Sequence, residues 1–322
     1  MKEIKELNWK PRWVSHLGCL QGCLDYLDLG LSDAWLFGVS GHAFIINIHE
    51  EVCPSGPTAW NTERMLALCR NVGCSLDVVT GHKSQDDFRA KQKAAWDKVR
   101  AAIDKGTPCY GWELEIPEFY VVYGYDDTGY YFRGPLCDAG KGPFPWQKLA
   151  DTGIGALEIV AVGREKAAPV ERTVKEALSF AVEHSRNPDT WVFPRYRTGL
   201  TGYDLWIEAL RGNRAGGFGV AYNAAVWAEC RRYAQEFLCE VRERLDGSVA
   251  TIVGGAIASY GAVSKQLSLV AEAFPFHGVS DEQKKAHVQD AGRRTSAIDA
   301  LQAARRSEEQ GLKALTEIAG ML

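Results

Sequence analysis

His16-Leu17-Gly18-Cys19-Leu20-Gln21-Gly22-Cys23-Leu24 spaces its apolar residues for a helix, with Cys19, Cys23 and Leu27 on one face. A cysteine in the first turn of a buried helix has its thiolate favoured by the helix dipole and by free backbone N–H groups. The same N–H groups can hold an oxyanion during acyl transfer. The competing reading makes Cys19 and Cys23 core residues of an amphipathic helix, since free cysteine is among the most buried side chains. Spacing alone favours the competing reading.

Outward from this helix the chain has two textures. Stretches 32–37, 61–72 and 85–104 read as helices, and 43–48 and 75–80 as strands. A strand-rich block opens at 107–112. Stretches 119–125 and 130–133 form a hairpin about Asp126-Asp127-Thr128-Gly129, and 154–162 adds a further strand. Helices first and an antiparallel sheet second give an α+β arrangement rather than a doubly wound one.

The stretch 163–169 is the natural linker. Beyond it, 170–184, 201–210, 222–245, 248–273 and 280–315 (broken near Gly292) read as helices, with Thr201/Asp204 and Ser280/Gln283 as capping boxes. Two domains are expected, 10–163 and 170–322. Gly216-Gly217-Phe218-Gly219 joins two helices with no preceding strand, so a nucleotide-binding loop is not expected there. Gly254-Gly255 inside a helix is expected to allow close helix packing. Two loops are expected to flank a cleft: the turn-rich 53–61 and the flexible 135–143.

The chain has 322 residues, enough for two cores, with 46% hydrophobic and 24% charged residues and a formal net charge of −4. That balance, without any run of five basic residues, gives no reason to expect a nucleic-acid partner. Residues 1–10 lack an apolar segment of the secretory kind, and no stretch is apolar for the ~20 residues a membrane span needs. A soluble, cytoplasmic protein is expected. Nine cysteines, an odd count without Cys-x-x-Cys spacing, argue against a disulfide framework, a zinc knuckle and a redox motif. No metal or cofactor is expected.

The opening stretch, followed by Gly30-Leu31-Ser32-Asp33-Ala34-Trp35-Leu36-Phe37-Gly38-Val39-Ser40-Gly41, resembles the N-terminal domain of the butirosin-biosynthesis protein H family. Gly106-Thr107-Pro108, Phe119-Tyr120-Val121-Val122-Tyr123-Gly124-Tyr125-Asp126-Asp127 and Tyr130-Tyr131-Phe132-Arg133-Gly134-Pro135 are similar to a block which that family shares with double-glycine bacteriocin-processing peptidases. The resemblance covers roughly 13–160. Residues 199–206 also resemble the helical domain often joined to it. The resemblance implies a papain-like N-terminal domain, helices packed on an antiparallel sheet, followed by an all-α domain. It further implies a cysteine nucleophile paired with a histidine, used in peptide cleavage or in acyl transfer from a carrier protein to an amine, in bacterial secondary metabolism.

The chain departs from that pattern at three positions. Glu118-Phe119 stands where the family has its histidine, Gly134 where it has Asp before Pro, and Trp13 where papain-like enzymes keep an oxyanion-hole glutamine. A glutamate with a pKa of about 4 is a poor base for a thiol of about 8.5. His42, directly after the signature, is the alternative base. Cys19, His42 and Glu118 are therefore the candidate catalytic residues, and Trp13, His16, Glu115, Trp60 and Tyr120 the candidate substrate-binding ones.

Two functions follow. One is a Cys19-dependent acyltransferase or amide hydrolase acting on a small-molecule or acyl-carrier-type substrate. The other is a catalytically degenerate protein that binds a ligand or partner, with Glu118 in place of the lost histidine. A third reading groups His42 with Glu113, Glu115 and Glu118 around a metal or a cationic substrate. The solvent-facing edge of a strand is the reading favoured for those glutamates. The helical domain is a candidate homodimer surface.

Overall fold

The computed structural model describes residues 1–245 and 248–322, with the backbone alone at Ser248. Its strands are β1 (Lys2–Glu3), β2 (Asn47–His49), β3 (Cys74–His82), β4 (Cys109–Trp112), β5 (Phe119–Tyr125), β6 (Gly129–Arg133), β7 (Lys141–Pro145), β8 (Ala156–Arg164) and β9 (Tyr196–Thr198). Five helices precede β9: α1 (Ser15–Tyr26), α2 (Asp33–Val39), α3 (Glu63–Cys69), α4 (Phe88–Asp104) and α5 (Val170–Ser185). Five follow it: α6 (Gly199–Arg211), α7 (Gly217–Arg244), α8 (Ser248–Ala273), α9 (Asp281–Gln289) and α10 (Ala291–Met321). Among the described residues no helix is long and apolar enough to cross a membrane.

The chain divides into two units, Met1–Ser32 with Val72–Ala167, and Asp33–Asn71 with Ala168–Leu322. One crossing, at 167/168, lies in the expected linker. Two more, at 32/33 and 71/72, have no counterpart in the sequence reading, and they group 33–71 with the later helices.

The first unit is built on a seven-stranded antiparallel sheet in the order β3-β8-β4-β5-β6-β7, with β1 added to β5. β5 is buried at every position, so both of its faces are covered, as its unbroken apolar and aromatic run demands. Helix α1 packs on β5, β4 and β8, and α4 on β3, β8 and β5. Trp96 of α4 meets Tyr125 and Tyr130 edge-on and stacks on Trp146. The loop read at 135–143 turns into strand at β7, whose residues pair with β6.

In the second unit α8 packs on both α7 and α10, α5 and α6 pack on α10, and α2 on α7. Its centre holds a fully buried ion pair, Arg231 Nε to Glu308 Oε2 at 2.8 Å. Tyr203 Oη donates to the same carboxylate (3.0 Å), and the guanidinium donates to the carbonyls of Ala43 (2.7 Å) and Ile45 (2.8 Å). Removing two such charges from water costs several kcal/mol per ion, so the surrounding hydrogen bonds are what make the pair tolerable.

That pair also explains a departure from the expected strand at 43–48. Gly41 adopts φ +77°, His42–Phe44 form a 3-10 turn, and the carbonyls of 43 and 45 point to Arg231 rather than to a neighbouring strand. Only Asn47–His49 forms a strand, paired with β9.

Three local features refine the sequence reading. Thr198, not Thr201, is the N-cap of α6, and Asp204 forms a forked ion pair with Arg305 (2.7 and 3.0 Å). The break expected near Gly292 is present at Asp290, whose Oδ1 accepts the Arg293 N–H (2.7 Å) and starts α10. Gly254 and Gly255 face open space rather than a neighbouring helix. The Ser280/Gln283 capping box is present.

Candidate functional site

Helix α1 begins at Ser15, which makes Cys19 its fifth residue rather than part of its first turn. The Gly18 N–H already closes the first helical bond onto Val14 O (3.0 Å), so the free N–H groups lie ahead of Cys19. The Cys19 side chain has no solvent exposure. Burial raises its thiol well above the ordinary range, the negative charge of Glu118 raises it further, and the backbone of Val121 offsets this only in part. At neutral pH the sulfur is a protonated, enclosed thiol.

The other first-unit candidates differ in burial and in partners. Ser15 Oγ donates to Glu118 Oε2 and accepts the Phe119 N–H (2.9 Å), tying the start of α1 to the start of β5. His16 is 3% exposed; its Nε2 lies 3.0 Å from Tyr110 Oη, and its ring stacks on Phe119. Glu158 Oε1 lies 3.7 Å from the same nitrogen, which is ion-pair distance but too long for a hydrogen bond. Burial pushes the Glu158 carboxyl up to about 7.

Tyr120 is fully buried, its Oη accepting the Ile116 N–H (3.2 Å). Trp13 is half-buried. Glu115 is exposed and pairs with Lys141 (2.5 Å). Glu113 is buried instead, accepting from Thr152 Oγ1 (2.8 Å), so the two do not share a face.

His42 and Trp60 belong to the second unit. The His42 ring is 1% exposed, with Nε2 3.4 Å from Pro57 O and Nδ1 3.6 Å from Cys230 Sγ, among Phe37, Trp60 and Trp227. Burial lowers its pKa to about 4, so it stays neutral. Trp60 donates its Nε1–H to Pro57 O (2.9 Å) and meets His184 edge-on. These are contacts of a packed core. Cys19 and Glu118 thus lie in one unit and His42 in the other, and no group of three His, Cys, Asp or Glu among the described residues is placed to hold a metal.

An open cleft of about 480 Å³ lies within the second unit, lined by Glu51 to Pro54, Arg214, Gly216 to Gly219, Asp281 and Lys285. Two sequence features that were read separately, the turn-rich loop from Cys53 and the glycines before α7, meet here. Cys53 is half-exposed; its Sγ lies 2.7 Å from Ser55 Oγ, which lies 2.6 Å from Tyr196 Oη. Burial raises the Tyr196 phenol.

Val52 adopts φ +51°, a left-handed conformation that costs a β-branched residue on the order of 1–3 kcal/mol. Fully buried Asn223 holds it there, donating to Cys53 O (2.9 Å), Val52 O (3.5 Å) and Gly219 O (2.9 Å) while accepting the Trp227 Nε1–H (3.0 Å). A side chain on Gly219 would collide with Val52 O and come within 3.1 Å of Cys53 Cα, so this close approach requires glycine.

The glycine-rich start of a helix was the readable signal for this cleft. Without a preceding strand, that signal does not point to a nucleotide-binding loop. Tyr196, 141 residues from Ser55, carries no local signal at all. Neither a protein-family model nor a curated protein matches the chain.

Proposed function

We propose that this chain is a papain-like protein of the butirosin-biosynthesis-H type whose Cys19 position has become structural, and that it binds a small-molecule or acyl-carrier-type ligand rather than running thiol chemistry at that position. The sequence resemblance suggests the lineage, and the α+β first unit is compatible with it. The observation that carries the functional reading is the enclosure of Cys19: its sulfur is out of reach of a substrate and its thiol is held in the neutral form by burial and by Glu118. Glu118, in the place expected of a histidine, is bound to Ser15 and braces α1 against β5. A carboxylate so placed disfavours the thiolate that catalysis would need.

Native labelling with a small maleimide, followed by peptide mapping, tests this. Cys19 is expected to stay unlabelled until denaturant is added, while half-exposed Cys53, Cys137 and Cys239 react. Labelling of Cys19 in the native protein as fast as those three would overturn the reading.

A further inference from the structure

The two edges of the first unit's sheet are made differently. One edge, β7, carries Lys141, Pro143 and Pro145 and an irregular register against β6, features that keep a strand from taking on a neighbour. The other edge, β3, is nine residues long without proline or lysine, and it pairs with β8 in unbroken register from Cys74 to His82. We infer that β3 is a pairing edge, and that its occupant is β3 of a second copy of this chain, antiparallel about Val79.

Hydrogen-bond parity identifies the groups on offer. The Glu165 N–H donates to Gly73 O (2.8 Å) and the Lys83 N–H to Gly155 O (2.8 Å). The odd-numbered residues of β3 therefore exchange bonds with β8, and the even-numbered ones turn theirs outward. Of these, the His82 N–H is taken by Gln85 Oε1 (2.9 Å). The outward N–H and C=O groups of Val78 and Thr80 have no partner among the described residues. They belong to Val78-Val79-Thr80, a β-branched run suited to a ladder.

Those groups fix the register. A second copy centred on Val79 sets Val78 against Thr80 and Thr80 against Val78, closing both main-chain bonds of each pair. A register centred on Asp77 would instead set two carboxylates face to face. With the centre at Val79, Asp77 lies opposite Gly81 of the second copy and has its Lys83 on the diagonal, so the charges across the seam are complementary. The Asp77 side chain is 74% exposed even with Lys98 against it, which leaves it open to a second cation.

Helix α4 leaves room for the seam. Its Lys91 lies over Gly81 and its Lys98 against Asp77, so the helix runs along β3. Ala94, three residues from Lys91 and four from Lys98, shares their face and is exposed. Val79 lies between Gly81 and Asp77 as Ala94 lies between Lys91 and Lys98. A two-fold axis through Val79 thus brings two copies of α4 together at alanine. Both lysines keep carboxylates of their own chain, Asp87 (3.4 Å) for Lys91 and Asp77 for Lys98. A contact confined to one strand edge and one helix face is small, so the association is weak and concentration-dependent.

Sedimentation velocity of the full-length protein tests this, with one chain expected at about 1 μM and two at about 100 μM. Thr80→Pro removes an outward N–H and leaves the bonds to β8 intact, and is expected to weaken association about tenfold or more. Val79→Cys is expected to give a covalent dimer under mild oxidation, linked through position 79 on peptide mass mapping, because residues so opposed lie about 4.5 Å apart at Cα. Asp77→Cys, which faces Gly81, is expected to stay unlinked. Circular dichroism checks the folding of each variant, and the Val79→Cys link decides if Thr80→Pro does not fold. A single chain at the highest concentration overturns the proposal, as does a dimer that Thr80→Pro leaves unchanged, since its contact lies elsewhere. Linking of Asp77→Cys as fast as Val79→Cys overturns the register.

Discussion

Cys19 and Cys53 make opposite use of the same side chain. Cys19 sits on a helix face where every neighbour from Ser15 to Leu24 is buried, and its sulfur behaves as a small apolar group. Cys53 sits on a strained loop over an open cleft, with hydroxyls for neighbours and helix N–H groups nearby. Resemblance points to the first, whereas only the second is open to solvent. Exposure and hydrogen-bond partners indicate where chemistry is physically open.

The sharpest way to break the contrast is to release the loop. Asn223→Ala leaves the Trp227 indole N–H and the Cys53 carbonyl without partners in the core, at a cost of about 3 kcal/mol. Urea unfolding is expected to show that loss, and the Cys53 region should gain amide hydrogen exchange while α1 does not. A loss under about 1 kcal/mol would mean that water replaces Asn223 and that the loop is not clamped.

The first unit has its own buried acid, and its signature is a pH dependence. Glu158 is held near pKa 7 by burial, above the value of about 4.3 it has when unfolded. A raised acid pKa means that the folded state binds more protons than the unfolded state between those values. Stability is therefore lost as pH rises from about 4.5 to about 7 and then levels off. Between pH 5 and pH 8 the loss is about 2 kcal/mol, and Glu158→Gln should remove it. Urea midpoints for parent and variant at the two pH values check this. A difference between them that stays constant with pH would place the Glu158 titration elsewhere.

Much of the secondary structure was legible because it is local. The hairpin around 126–129, the Ser280/Gln283 cap and the buried strand Phe119–Tyr125 each follow from contiguous residues, and each is present. The errors fall where a distant group overrides local preference. Ala43 and Ile45 look like strand but give their carbonyls to Arg231, 188 and 186 residues away. The grouping of 33–71 with the later helices likewise rests on distant contacts, of α2 with α7 and α5, which leave no periodicity. At the candidate site, Cys19 and Glu118 could be named from sequence. That His42 lies in the other unit, packed against Cys230, and that Cys53 shares a cleft with the start of α7, depended on the tertiary fold.

The smallest expected effect bears on the contrast most directly. Replacing sulfur by oxygen changes little in size but makes the side chain a stronger hydrogen-bonding group, which matters only where water is absent. Cys19→Ser places a hydroxyl in an enclosed position, at a cost of about 1–2 kcal/mol. Cys53→Ser keeps its contact with Ser55 and its access to solvent, so stability should change by no more than about 0.5 kcal/mol. Paired urea titrations at pH 7 read the difference, with Cys137→Ser as an exposed reference. Equal effects at Cys19 and Cys53 would mean that the Val121 backbone or a water serves the new hydroxyl as well as solvent does. In that case its enclosure would no longer argue against chemistry there.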